Sequence, residues 1–124
     1  LQAGKVVLSD RYVDSSIAYQ AYGRGLGDMV AQVNAIATGG LVPDLTVFLD
    51  LPPAVGMARK QQEENHELDR LEQEKLEFYQ KVYEGYDALC KKELERICRI
   101  DASGTIEEVF GQIKAALDEL LDRA

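Results

Sequence analysis

The chain has 124 residues, with 14 Lys and Arg against 22 Asp and Glu and a formal net charge of −8. That balance excludes a broad nucleic-acid or anionic-membrane surface, since counterion release needs clustered cations, and no apolar run approaches the ~20 residues of a membrane span. A hydrophobic share of 46% with 29% charged residues describes a globular chain forming one domain or part of one.

The first candidate element is Lys5 to Ser9, a short β-branched run with the look of a buried strand. It delivers Asp10 and Arg11, then hydroxyl and amide groups as far as Gln20. In open α/β sheets ligands bind beyond the carboxyl ends of the strands, so an acid and a guanidinium placed there suit a phosphate site. The dipeptide alone is a weak signal, and a surface ion pair is its plainer reading.

Leu26, Met29, Val30, Val33, Ile36 and Ala37 recur at helical spacing, and Gly39-Gly40 supplies a stop. Gly23-Arg24-Gly25-Leu26-Gly27 lacks the spacing of a dinucleotide fingerprint, because position 28 is Asp. After the turn signal Val42-Pro43-Asp44, Leu45 to Asp50 repeats the strand pattern. A helical connection of that length implies parallel strands joined by a right-handed crossover.

Pro52-Pro53 opens a helix to about Lys60 with Val55, Met57 and Ala58 facing inward. The polar run from Gln61 to Glu67 has no apolar face and reads as a mobile lid over about 60–71. His66 within it has no nearby ligand set and reads as a solvated side chain. Leu71, Leu76, Tyr79, Val82, Tyr83, Tyr86, Leu89 and Cys90 then mark a long amphipathic helix. Arg96 to Ile100 is a weaker third strand. Thr105 and Glu108 form a capping box before a helix with a wide apolar stripe from Ile106 to Leu121. The resulting order of β, α, β, α, lid, α, β, α is three-layer doubly wound α/β.

Cys90 and Cys98 match no disulfide-dense, CxxC or zinc pattern and are expected to be reduced and buried. No signal peptide is expected, and Leu1 in place of an initiator Met points to truncation or cleavage upstream. No GxxxxGK[ST] phosphate loop occurs in these residues.

Asp10-Arg11-Tyr12 resembles the DR(Y/H/F) signature of bacterial-type thymidylate kinases. The match runs through Asp14-Ser15-Ser16-Ile17-Ala18-Tyr19-Gln20 into Gly23-Arg24-Gly25, and through Pro43 to Asp50 and Val55 to Arg59. It resumes at Asp69-Arg70-Leu71-Glu72-Gln73-Glu74, then Phe78-Tyr79 and Val82 to Tyr86.

The resemblance implies the carboxy-terminal part of a single P-loop nucleoside monophosphate kinase domain, spanning 1–124. The intact enzyme would transfer the γ-phosphoryl of ATP to dTMP with Mg2+. It would be a cytoplasmic homodimer, and this part alone is expected to be inactive.

Arg11 is implied to bridge the dTMP phosphate and the transferred group, with Asp10 at the magnesium shell. Ser16 and Gln20 match positions facing thymine, and Tyr19 matches the ring under the deoxyribose. Arg59, Lys60 and Arg70 match the lid and ATP side, and Glu72 a position near the nucleotide sugar. Lys60 is the only cation between Arg59 and Arg70, a departure from members with further lid arginines. Pro52 also departs from the side-chain helix cap usual in the family.

In the family fold a further strand lies between those read at Lys5 to Ser9 and Leu45 to Asp50. Without it two rows of backbone groups would lack partners. Two other readings remain: a nucleotide kinase of this fold with a different acceptor, and a non-catalytic paralogue serving as an interaction module.

Overall fold

The computed structural model describes residues 1–64 and 70–123, the side chains of 64 and 70–72 excepted. The architecture is α/β. Strands β1 (Thr46–Asp50) and β2 (Ile97–Asp101) pair in parallel, with Thr46 opposite Ile97 and Asp50 opposite Asp101. Both carry β-branched residues that suit a pleated surface, β1 adding Phe48, and the weaker strand signal at Arg96 to Ile100 is a true strand over Ile97–Asp101.

Around the sheet are α1 (Val13–Ser16), a π-helix (Ile17–Gly23), α2 (Met29–Thr38), α3 (Pro53–Glu64), α4 (Arg70–Lys92) and α5 (Ile106–Arg123). Helix α2 ends where its glycines require: Gly39 takes φ 63°, and the Gly40 amide donates back to the Ala35 carbonyl at 2.9 Å. The capping box of α5 is complete in both directions. The Thr105 amide donates to Glu108 Oε2 at 3.0 Å, and the Glu108 amide donates to Thr105 Oγ1 at 3.2 Å.

Several expectations need correction. Lys5 to Ser9 is not a strand but an extended, unpaired run, with Val6 86% and Leu8 96% exposed. A strand is stable only beside a hydrogen-bonded neighbour, and the described sheet is the β1–β2 pair without this run. Helix α3 continues past Lys60 to Glu64, because Gln and Glu are good helix formers and a helix end needs no apolar face. The proposed lid is therefore partly helical, and its remainder at 65–69, including His66, lies outside the described residues. Met57 is half-buried, but Val55 and Ala58 are exposed. The stripes of α2 and α5 exist in sequence but stay uncovered: Val33, Ile36, Phe110 and Leu121 are all exposed.

The core is small. Leu89 and Cys90 of α4 pack with Ile97 of β2 against Ile17 and Phe48. Both cysteines are free: Cys90 is buried, and burial pushes its thiol pKa up, while Cys98 is half-buried.

Two charge clusters tie the elements together. Asp14, 4% exposed, receives both terminal nitrogens of Arg96 at 2.8 Å and the Thr46 hydroxyl at 3.0 Å. Across the sheet, Arg99 joins Asp50 of β1 and Asp87 of α4, each at 2.7 Å, and its guanidinium is thereby held even more firmly protonated.

Asp14→Asn leaves the half-buried Arg96 guanidinium with only Glu93, 3.9 Å away, as a counter-ion, so a loss of about 3 kcal/mol is expected. Asp14→Asn combined with Arg96→Met removes both charges and is expected to recover most of it; urea unfolding of the three proteins checks this.

The acid side follows from Asp87, whose carboxyl is held below the usual range by Lys91 and then Arg99. A depressed carboxyl stabilises the fold above its unfolded pKa of about 3.9 and loses that contribution as pH falls through the lower folded value. Unfolding midpoints measured from about pH 6 down to about pH 3 should therefore decline less steeply for Asp87→Asn than for the parent.

Candidate active site

The segment from Ser9 to Arg24 is built around an unusual backbone. Arg11 has φ 67°, in the left-handed region that non-glycine residues rarely occupy. The Ser9 hydroxyl donates to the Arg11 carbonyl at 2.8 Å across this bend. A left-handed arginine costs roughly 1–2 kcal/mol, and such strain concentrates where a side chain must be aimed. Here the bend places the Arg11 guanidinium over the Tyr19 ring, 5.2 Å from its centroid.

Tyr19 lies in the π-helix, whose wider turn is itself a feature common at functional sites. The turn runs on into the glycine-rich loop, with the Arg24 amide donating to the Tyr19 carbonyl at 3.0 Å. Gly23 makes the packing possible: a Cβ there would stand 2.8 Å from Phe78 of α4.

The aromatic floor is continuous. Tyr19 meets Phe78 edge-on at 6.1 Å and Tyr86 at 6.5 Å, and Tyr86 stacks on Phe48 of β1 at 4.8 Å. A second guanidinium, Arg24, sits 5.6 Å over Phe78. Two cations lie on one aromatic cluster, with half-buried Ser16 and Gln20 on the same stretch of helix as Tyr19, a set of groups suited to an anion attached to a flat, polar ring. Among the described residues no protein group hydrogen-bonds the side chains of Ser16 or Gln20, which leaves both able to meet a ligand.

Of the residues singled out in the sequence, Arg11 and Tyr19 are in contact, and Ser16 and Gln20 lie on the helical stretch that carries Tyr19. Asp10 is adjacent and exposed. Among the described residues no group of three or more His, Cys, Asp or Glu gathers as a metal site. A single accessible carboxylate still fits Mg2+, which is commonly held by one or two carboxylates together with substrate phosphates.

Arg59 belongs to a second place, beyond the carboxyl end of β2. Its guanidinium donates to the carbonyls of Ala102 at 3.3 Å and Ser103 at 2.9 Å. With Gly104, Ile106 and Phe110 it lines an open, mostly apolar cavity of about 380 Å³. Asp101 shapes the loop at this cavity: the Ser103 hydroxyl and amide both donate to its carboxylate and hold its pKa below the usual range. Lys60 follows Arg59 in α3 and is exposed. The side chains of Arg70 and Glu72 lie outside the described residues.

The site also contains groups to which the sequence alone assigned no role. Asp14, Ser15, Arg24, Phe78, Tyr86 and Arg96 all support it. Val82 and Tyr86 were legible on the apolar face of α4, whereas Phe78 was not in that stripe and Tyr79, which was, is exposed; nothing in a helical period says which residue that face meets.

A family model described as thymidylate kinase matches residues 1–113. The chain is 49% identical over 125 residues to a thymidylate kinase of Synechococcus sp. (strain JA-2-3B'a(2-13)), covering 100% of this chain and 58% of that protein. It is 54% identical over 125 residues to the thymidylate kinase of Lactobacillus delbrueckii subsp. bulgaricus, covering 97% of this chain and 59% of the relative. With the thymidylate kinase of Geobacillus sp. (strain WCH70) the identity is 44% over 125 residues, covering 99% and 60%. The chain thus spans about three-fifths of the length of the curated relatives it matches. With a family model matching residues 1–113 and relatives about half identical over nearly its whole length, the chain belongs to the thymidylate kinase family.

Proposed function

We propose that this sequence forms the acceptor side and part of the donor side of a full-length kinase that transfers the γ-phosphoryl group of ATP to dTMP. An oxygen of the dTMP phosphate forms the new bond to the γ-phosphorus as the bond to the β–γ bridging oxygen breaks, giving dTDP and ADP. The observation that carries this reading is Arg11, held in a left-handed bend over Tyr19 within the matching signature segment.

Phosphoryl transfer asks little covalent chemistry of a protein and depends on alignment and on neutralising spread negative charge. Arg11 offers a planar fork for two phosphate oxygens and needs no deprotonation to do so. Tyr19 would pack under the deoxyribose, where a 2′-hydroxyl fits poorly. Ser16 and Gln20 would hydrogen-bond the thymine edge, a contact that rejects analogues because the protein groups would otherwise be left unpaired.

On the donor side, Arg59 and Lys60, with Arg70, would face ATP from a lid at about 60–71, and Glu72 would lie near the nucleotide sugar. Bound Mg2+ would screen the phosphates, with Asp10 as its protein ligand. The homology over nearly the whole chain supports these roles.

We further propose that 1–124 is the later part of one catalytic domain and that the full-length enzyme is a homodimer. The uncovered apolar residues of α2 and α5 support association. A cytoplasmic location is supported by the free cysteines Cys90 and Cys98, which suit a reducing compartment.

The full-length protein is expected to phosphorylate dTMP in preference to dUMP, dCMP and AMP, and to stop when EDTA removes the metal. Arg11→Ala should lower kcat by at least about a hundredfold. A coupled ADP-release assay checks both. Undiminished turnover in Arg11→Ala overturns the role of Arg11, and preference for another monophosphate overturns the substrate.

A further inference from the structure

We propose that Tyr86 is a positioning residue for the acceptor pocket, holding the Arg11–Tyr19 pair in place through Ser15 and through the edge of Tyr19. The inference rests on the reading of Tyr19 and Arg11 as dTMP contacts.

Tyr86 touches three elements at once. Its hydroxyl shares a hydrogen bond of 2.7 Å with Ser15 Oγ in α1. Its ring lies nearly parallel to Phe48 of β1, at 4.8 Å and 13°, and nearly perpendicular to Tyr19, at 6.5 Å and 85°. The order of contact is therefore sheet, Tyr86, Tyr19, Arg11. Tyr86 meets the Arg11–Tyr19 pair through the ring of Tyr19.

The neighbouring residue explains why this hold is close. A Cβ on Gly85 would stand 3.0 Å from the Ala18 Cα and 3.0 Å from the Tyr22 Cβ, so α4 and the π-helix approach backbone to backbone at this point. The half-buried Tyr86 ring lies between Tyr19 of the π-helix and Phe48 of β1.

The hydroxyl pair has a distinct job. Helix α1 has only four residues, its N-cap Tyr12 makes no side-chain cap, and the segment then widens into a π-turn. Little within the segment itself sets its rotation. The Asp14 bridge to Arg96 and the Ser15 bond to Tyr86 grip consecutive residues, one toward the sheet edge and one toward α4. Two anchors on adjacent residues fix rotation where one would leave a swivel, and rotation of this segment decides where Tyr19 presents its face. Burial also pushes the Tyr86 hydroxyl pKa up.

The experiment uses full-length kinase carrying Tyr86→Phe, which keeps every ring contact and removes one oxygen. Isothermal titration measures dTMP binding, and steady-state kinetics measure KM and kcat for dTMP, its ribonucleotide counterpart and ATP. Expected is a rise of about five- to tenfold in the Kd and KM for dTMP, a reduced preference over the ribonucleotide, and an unchanged KM for ATP. Ser15→Ala should reproduce the effect, and the double variant should be no worse than either single, because all three lose the same hydrogen bond.

A lowered Tm with dTMP KM and sugar preference unmoved overturns the proposal, since loss of folded enzyme lowers the apparent kcat alone. If Tyr86→Phe does not fold, the same measurements on Ser15→Ala decide between these outcomes. Wild-type protein that binds no dTMP overturns the pocket reading as well. Wild-type protein that uses dTMP, beside variants indistinguishable from it, overturns the positioning role only.

Discussion

A carboxylate removed from water must be neutralised where it stands, and Asp14 is neutralised by an arginine 82 residues further along the chain. The bridge is bidentate, and the Thr46 hydroxyl both donates to Asp14 Oδ2 and accepts from Arg96. Its backbone setting is as important as its charge. The Thr46 amide donates to the Arg96 carbonyl at 2.9 Å, at the mouth of the β1–β2 ladder, so the guanidinium is carried by the sheet. The segment after the Asp10-Arg11 signature is consequently tied to the sheet by ionic hydrogen bonds, with no strand of its own to secure it.

On that anchored segment the remaining packing has one direction. Missing side chains at Gly23 and Gly85 let the π-helix sink against α4, and the aromatic residues of α4 then form a floor beneath Tyr19. Arg11 completes the surface by adopting a conformation that an arginine does not choose freely. An isolated peptide of this sequence would relax out of that bend. The Ser9 bond and the contact with the Tyr19 ring offset its cost and hold the guanidinium over that ring.

Much of the local structure was legible before the fold was known. The Gly39-Gly40 stop, the Pro53 start and the reciprocal Thr105–Glu108 cap are decided within a few residues by backbone freedom and hydrogen-bond geometry. The candidate site was legible in part, through the signature that marks Arg11, Ser16, Tyr19 and Gln20. Lys5 to Ser9 shows the limit of such reading. Its composition suits a strand, but strand formation is a property of a pair, and the pairing partner cannot be read from the run itself. The lid shows another: the polar run after Lys60 lacks an apolar face, yet propensity carries the helix on to Glu64.

By itself the sequence determined the α/β class, the family, the end of α2, the starts of α3 and α5, and the chemical types present at the candidate site. Those follow from local propensity and from ordered motifs, which need no knowledge of what lies across the molecule. Only the tertiary structure decided that Asp14 pairs with Arg96, that Ser15 meets Tyr86, that Arg59 turns to the carbonyls of Ala102 and Ser103, and that the stripes of α2 and α5 remain uncovered. Each of these depends on groups tens of residues apart being brought within a few ångströms. Burial, charge neutralisation and close packing act on distance in space, and a periodicity along the chain carries no record of it.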